Sequence, residues 1–224
     1  MQQLRHQLHN IVSARYHTLN GSFKDALPLP SEKERKMLNQ VVASGFIDQV
    51  AIRSDLLSDE TPSGFGRKPR RATEVPYRTL VPSGDVDKTL DQNEQEMQRN
   101  VFIHPSSVLA HLSVKEMPQY IVYSHLSRAA PAVIDSGTVP RTRMHPLTAV
   151  GAKQLAALAE GTPILEIGKP IGKIDELGSG RRQCWVSLGL RAPSGSASWP
   201  LSAWKVVQRR GKMGEWTVQQ VLAR

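Results

Sequence analysis

Apolar positions recur along this 224-residue chain first at helical and then at strand spacing. Leu4, Leu8, Ile11 and Val12 fall at helical intervals, with Arg5, His6, His9 and Asn10 supplying the polar positions. Residues 1–20 are therefore expected to form a helix that Gly21 can end, and it reads as the last helix of something longer. The stiff connector Ala26-Leu27-Pro28-Leu29-Pro30 follows. Ser31 is a natural N-cap and Glu34 stands at the capping-box position, so a second helix is predicted over 32–44. Met37, Leu38, Val41 and Val42 would form its buried stripe. After Gly45 the pattern shortens. Residues 46–52, 75–81 and 120–123 read as strands, and 141–150 as extended apart from Pro146. Residues 153–160 read as a short helix closed by Gly161. Four strand-like segments come last, near 163–171, 183–190, 198–207 and 216–222, separated by glycine-containing turns at 178–180, 194–196 and 210–212. Trp185, Trp199, Trp204 and Trp216 all fall in the last three, which predicts a compact antiparallel meander with a small aromatic core.

Two polar stretches interrupt this order. Residues 55–72 are rich in Gly, Pro and Ser and end in the basic run Gly66-Arg67-Lys68-Pro69-Arg70-Arg71, while residues 83–99 are mostly acidic. Both read as solvated insertions in one fold, poorly ordered alone. The fold class is α+β and mostly β, with the helices first.

Composition narrows the function classes. A formal charge of +9 favours contact with nucleic acid or another polyanion. An aromatic content of 5% argues against a surface built from many base-stacking rings. No apolar run approaches the roughly 20 residues of a membrane span, and the first residues do not lead into a signal-peptide core. A single cysteine, Cys184, rules out an internal disulfide and suggests a reducing compartment. It sits before Trp185-Val186 in a predicted strand and reads as a small buried apolar residue.

Candidate chemistry is sparse. Gly168-Lys169-Pro170-Ile171-Gly172-Lys173-Ile174 imitates a phosphate loop, but Ile167 stands where the first glycine belongs and Ile174 where the hydroxyl belongs. A strand bounded by turn residues accounts for it better. One cysteine cannot complete a usual structural zinc site. His6 and His9 lie three apart on a helix with no carboxylate beside them, and His111, His125 and His145 are scattered through different segments. No Gly-x-Ser-x-Gly elbow occurs, so no catalytic residue and no metal site is expected. The basic run suits phosphate contact, a solubilising insert or a nuclear-import signal, and these readings stand side by side.

The stretch "FIHPSSVL" at 102–109 stops a strand abruptly. Pro105 fixes its own φ and pushes His104 to extended geometry, and Ser106 or Ser107 can then cap a short turn reaching Leu112. The His104 ring is expected near backbone carbonyls. Its imidazole and the two hydroxyls are alternatively placed to meet a nucleic-acid backbone.

"NVFIHPSSVL" and "MPQYIVYSHL", at 100–109 and 117–126, resemble the oligonucleotide-binding (OB) fold near the C-terminus of DEAH-box RNA helicases. His104-Pro105-Ser106-Ser107 fits the first block and Pro118-Gln119-Tyr120-Ile121-Val122-Tyr123 the second. "KMLNQVVASGFIDQVAIR" at 36–53 is similar to the family's helix-then-strand entry into that domain. "PYRTL" at 76–80 is similar to the strand before His-Pro-Ser-Ser. "TRMHPLTAVGAKQLAALA" at 142–159 resembles the final strand and helix, with Met144-His145 where the family has Met-Arg. The resemblance implies an OB-fold-like barrel with two polar insertions over 31–161, the end of a helicase-associated helical domain and a linker over 1–30, and an extra C-terminal β-rich domain over 162–224.

"FIDQVAIRSDL" and the C-terminal meander are most similar to the branch of that family acting in small-subunit ribosome assembly. The resemblance implies an accessory region of an ATP-dependent helicase that releases the U-three small nucleolar RNA from pre-ribosomes, in the nucleolus and nucleus. ATP and magnesium would belong to motor domains in a longer parent chain, since no motor motif occurs here and no cofactor is expected in this region. Expected partners are single-stranded or structured pre-ribosomal RNA, the motor domains in cis and ribosome-assembly proteins, with no membrane. Candidate RNA contacts are Arg141 and Arg143 at the barrel rim, Arg67, Lys68, Arg70 and Arg71 in the first insertion, and His104, Ser106 and Ser107. A pure protein-interaction module and an unrelated small β-barrel enzyme remain the alternatives.

Overall fold

A computed structural model describes residues 2–15, 29–57, 68–81, 99–128, 141–191 and 198–223. Most of both insertions, including Arg67, lies outside these residues, as do the 194–196 turn and the predicted helix stop at Gly21. The chain divides into two compact units, 1–37 and 38–224. In the first unit α1 (Gln2–Arg15) is helical as its spacing predicts, and Leu4, Leu8 and Ile11 are exposed.

Helix α2 (Glu32–Gly45) runs across the boundary between the units. Its start is the predicted capping box: Ser31 Oγ accepts from the Glu34 N–H at 3.3 Å, and Glu34 Oε2 accepts from the Ser31 N–H at 2.7 Å. The predicted buried stripe is corrected. Met37, Leu38 and Val41 are more than half exposed, Val42 is partly exposed, and only Ala43 enters the core. The physical reason is approach geometry. The helix meets the barrel through its last turn alone, where a methyl group fits closely, so helical periodicity marked an apolar face without deciding what covers it.

Five strands close a barrel: β1 (Val50–Arg53), β2 (Tyr77–Thr79), β3 (Asn100–Ile103), β4 (Tyr120–Arg128) and β5 (Thr142–Val150). Their order is β1-β2-β3-β5-β4 with β4 returning to β1, and only the β3–β5 pair is parallel. Closure leaves no open edge along the path. Side chains alternate faces along each strand. Ala51, Tyr77, Val101, Ile103, Ile121, Tyr123 and Met144 fill the barrel interior, while Val50, Ile52, Tyr120, Val122 and Val150 point outward into a second core. Residues 46–49 form the turn into β1 rather than strand, and the 75–81 strand shortens to its centre.

Helix α3 (Ala152–Leu158) joins the barrel to the rest of the second unit, followed by Gly161 at φ +77°. Leu155 and Ala159 pack on the barrel's outer core together with Leu190 and Trp199, and Ala156 packs on Cys184, Val186, Trp204 and Val206. The final strands are β6 (Leu165–Gly178), β7 (Arg181–Leu190), β8 (Trp199–Pro200), β9 (Trp204–Arg210) and β10 (Trp216–Ala223). They form an antiparallel sheet in the order β10-β9-β7-β6, with β8 beside the end of β7. Ser179 and Gly180, both at positive φ, close the β6–β7 hairpin as a two-residue loop of the primed type. The phosphate-loop imitation is part of β6.

The aromatic core of the meander is corrected. Trp199 and Trp204 are buried, but Trp185 is 42% exposed, and Trp216 lies under the Arg182 guanidinium, 3.8 Å from its ring centroid. Trp185 follows buried Cys184 and precedes buried Val186, so strand alternation turns it to the other face.

Candidate nucleic-acid interface

The outward face of β3 and β5 carries three of the nine polar residues singled out by sequence: Arg141, Arg143 and His104. Phe102 points opposite to Val101 and Ile103, away from the barrel interior, yet it is 1% exposed. Two guanidiniums cover it: Arg141 at 5.0 Å and Arg143 at 5.8 Å from the ring centroid. Arg143 also donates through Nη1 to the Thr73 carbonyl at 2.9 Å and the Ile103 carbonyl at 3.3 Å. Burial, and then the neighbouring Arg141 charge, lower its guanidinium from the ordinary value, though an arginine at this depth stays charged. Arg143 therefore clamps β3 to the 72–74 turn, whereas Arg141 is exposed and displays its charge.

The 72–74 turn ties the basic run to the same flank. Glu74 Oε2 accepts from the Arg70 N–H at 2.8 Å, and the Glu74 N–H donates to the Arg71 carbonyl at 3.0 Å. The Arg70 amide holds the Glu74 carboxyl below the usual carboxylate range, and the Arg71 and Arg141 charges act in the same direction. The reading of 55–72 wholly as a loose insertion is thus corrected at its end, because Ala72 is fully buried and anchors the turn. Lys68, Arg70 and Arg71 are exposed.

His104 continues β3 by one residue, its N–H donating to the Met144 carbonyl at 2.9 Å. Ser107 is the cap expected after Pro105: its Oγ accepts from the Leu109 N–H at 3.3 Å and starts a 3-10 turn over Val108–His111. Ser106 serves the histidine. Its N–H donates to His104 Nδ1 at 3.2 Å and its Oγ lies 2.7 Å from the same nitrogen. The face of this ring stacks on another imidazole, a contact the sequence did not indicate.

That imidazole is His145, and His125 stacks on it as well. Ring centroids are 4.3 Å apart for His104–His145 and 4.1 Å for His125–His145, with interplanar angles of 23° and 12°. Two rings cannot share one face of a third at these distances, so His145 is sandwiched. The strand order β3-β5-β4 brings about this arrangement. Neighbouring strands lie about 4.8 Å apart, close to ring-stacking distance. Sequence reasoning left His125 and His145 as scattered residues. The missing signal was the parallel β3–β5 pairing, which no local pattern encodes.

A bulge aims the outer ring. Register runs from Tyr123↔Pro146 to Leu126↔Met144, so Ser124 and His125 together oppose His145. Pro146 lacks an N–H, and the ladder is interrupted at that point without loss of a donor. Strand β5 therefore continues through Pro146, where an exception to extended structure was expected. Burial, followed by the charges available to His125 and His104, lowers the His145 pKa from its ordinary value. The rings lie face to face rather than converging on a point, and among the described residues no group of histidines, cysteines and carboxylates is arranged to hold a metal ion.

A groove of about 480 Å³ lies on the sheet, lined by residues that include Ile171, Lys173, Trp185 and Lys205. The sequence marked none of these as a site.

The comparisons agree with this architecture. Residues 38–162 match the family described as oligonucleotide/oligosaccharide-binding (OB)-fold. The chain belongs to this family. It is 29% identical over 204 residues to DHR1 of Saccharomyces cerevisiae, a protein named as a probable ATP-dependent RNA helicase, covering 88% of the chain and 14% of that protein. It is 30% identical over 193 residues to the protein named "Putative ATP-dependent RNA helicase PB1A10.06c" in Schizosaccharomyces pombe, covering 84% of the chain and 13% of that protein. The chain thus spans about one-seventh of the length of these relatives. The similarity to the C-terminal region of DEAH-box helicases, read from the His-Pro-Ser-Ser blocks, is borne out.

Proposed function

We propose that this chain is the accessory OB-fold region of an ATP-dependent DEAH-box RNA helicase and that its barrel holds single-stranded RNA beside the motor. One observation carries the reading: a closed barrel displays exposed Arg141 over Phe102, with Arg143 locked beside it and Arg70 and Arg71 tethered through Glu74. Basic side chains along such a face neutralise phosphates, and each contact adds salt-dependent affinity. The parent's ATP and magnesium belong to motor domains in cis. Its cellular role, on the resemblance, is release of the U-three small nucleolar RNA during small-subunit ribosome assembly, in the nucleolus and nucleus.

Fluorescence anisotropy of the 224-residue chain with labelled single-stranded RNA at two salt concentrations tests the reading. Binding that weakens steeply with salt is expected, and no binding at low salt overturns it. A second reading has its own support. Strand β6 pairs only with β7 among the described residues and exposes Ile167, Ile171, Ile174 and Leu177. Such an edge suits an added strand from a ribosome-assembly protein. Capture of a purified assembly factor by a chain that binds no RNA would favour it.

A further inference from the structure

We propose that the His104–His145–His125 column is a stacking platform for one unpaired RNA base, taken on the open face of His125. This deepens the RNA-binding reading and rests on it. The column lies on the outward side of β3, β5 and β4, opposite the interior that Ile103, Tyr123 and Met144 fill, so the barrel's interior packing does not hold its rings. Its edges are held instead by serines. Ser106 Oγ lies 2.7 Å from His104 Nδ1, Ser124 Oγ 2.9 Å from His125 Nδ1, and Ser127 Oγ 3.1 Å from His145 Nε2. With one edge nitrogen of each ring engaged, what the column presents outward is a π-face.

The open end is His125. Its inner face rests on His145 at 4.1 Å, and the residue is exposed. The Ser124–His125 bulge turns this ring onto the column, and bulges of this kind commonly re-aim a side chain beside a functional site. Arg143 and His145 sit two residues apart on one face of β5, about 6.6 Å along the strand, with Arg141 another step beyond. A strand of RNA crossing from the start of β5 toward β4 would meet Arg141 with its phosphates and the open face of His125 with a base. Every base has a π-face, so the platform would be tolerant of sequence. His145 is a positioning residue that backs His125.

The test compares a short labelled oligoadenylate with an abasic ribose-phosphate oligomer of equal length, on the full chain. Wild type is expected to bind the oligoadenylate roughly five- to tenfold tighter than the abasic strand. His125→Ala should erase this preference and leave the salt slope unchanged, and His125→Phe should restore it. Arg141→Ala should weaken both ligands alike and reduce the salt slope by about one. Equal, salt-dependent binding of both oligomers by wild type, or a preference that survives His125→Ala, would overturn the platform while leaving RNA binding intact. Absence of binding to either oligomer at low salt would overturn both. Because His125 is exposed, His125→Ala should melt with wild type, which separates loss of stacking from loss of fold.

Discussion

The barrel and the C-terminal sheet both place an arginine over an aromatic ring, and they do so with different consequences. On the barrel, Arg141 and Arg143 bury Phe102 almost completely, and Arg143 is fastened to two backbone carbonyls. On the sheet, Arg182 covers Trp216 while Trp185 stands exposed beside a groove. Barrel closure pairs the edges of all five strands, so the polar chemistry gathers on a strand face where side-chain positions are rigid. Among the described residues, β6 of the open sheet pairs on one side only, and apolar residues line it. A closed β surface therefore favours a ligand read by charge and stacking, whereas an open one favours another strand.

Breaking the element that joins the two regions should have the largest effect. Leu155→Ala in α3 is expected to cost about 2–5 kcal/mol, and one cooperative thermal transition should shift as a whole. Two separate transitions would show that barrel and sheet are independent, despite the shared cluster of Leu155, Leu190 and Trp199. Next comes the division of labour between the two arginines. Arg143→Ala leaves the Thr73 and Ile103 carbonyls without their donor and uncovers Phe102, at about 1–3 kcal/mol in denaturant unfolding. Arg141→Ala also takes a guanidinium off Phe102 but frees no backbone carbonyl, so it should cost less stability than Arg143→Ala while weakening RNA binding, and Trp185→Ala or Lys205→Ala on the sheet should leave RNA binding unchanged. A sheet variant that weakens RNA binding as much as Arg141→Ala would dissolve the contrast between the regions.

Smaller effects sharpen it further. Ser107→Ala removes the cap on the Val108–His111 turn and should cost about 1 kcal/mol, read from the urea midpoint. The mildest effect is a pH slope. His145 is neutral more readily in the folded chain than in the unfolded one, because its folded pKa is lowered. Below about pH 6.5 the unfolded state therefore binds more protons. The stabilising contribution is present above that value and declines as pH falls toward the lower folded pKa. His104 and His125 on its two faces, with Arg143 next on the same strand face, set the local charge. His145→Phe should flatten this part of the stability–pH curve, and an unchanged slope would assign it to other groups.

Much of the architecture was legible because its causes are local. The Ser31–Glu34 capping box, the Pro105 strand stop with Ser107 as its cap, the Ser179-Gly180 turn and buried Cys184 each follow from a few neighbouring residues. The misread stripe on α2 depends on partners distant in sequence, whereas the exposure of Trp185 follows from strand alternation, a local rule. Met37, Leu38 and Val41 form an apolar stripe by periodicity, yet only Ala43 meets the core. Trp185 shares its strand with buried residues but faces the other way.

The sequence by itself determined the strand and turn chemistry, the mostly β class and the family, because those rest on residues close together or on blocks in a recognisable order. The tertiary structure alone decided the site. Parallel pairing of β3 with β5, antiparallel pairing of β4 with β5 and one bulge bring His104, His145 and His125 from separate segments to stacking distance. The physical reason is that strand spacing, set by backbone hydrogen bonds, converts three residues far apart in sequence into a single column of rings.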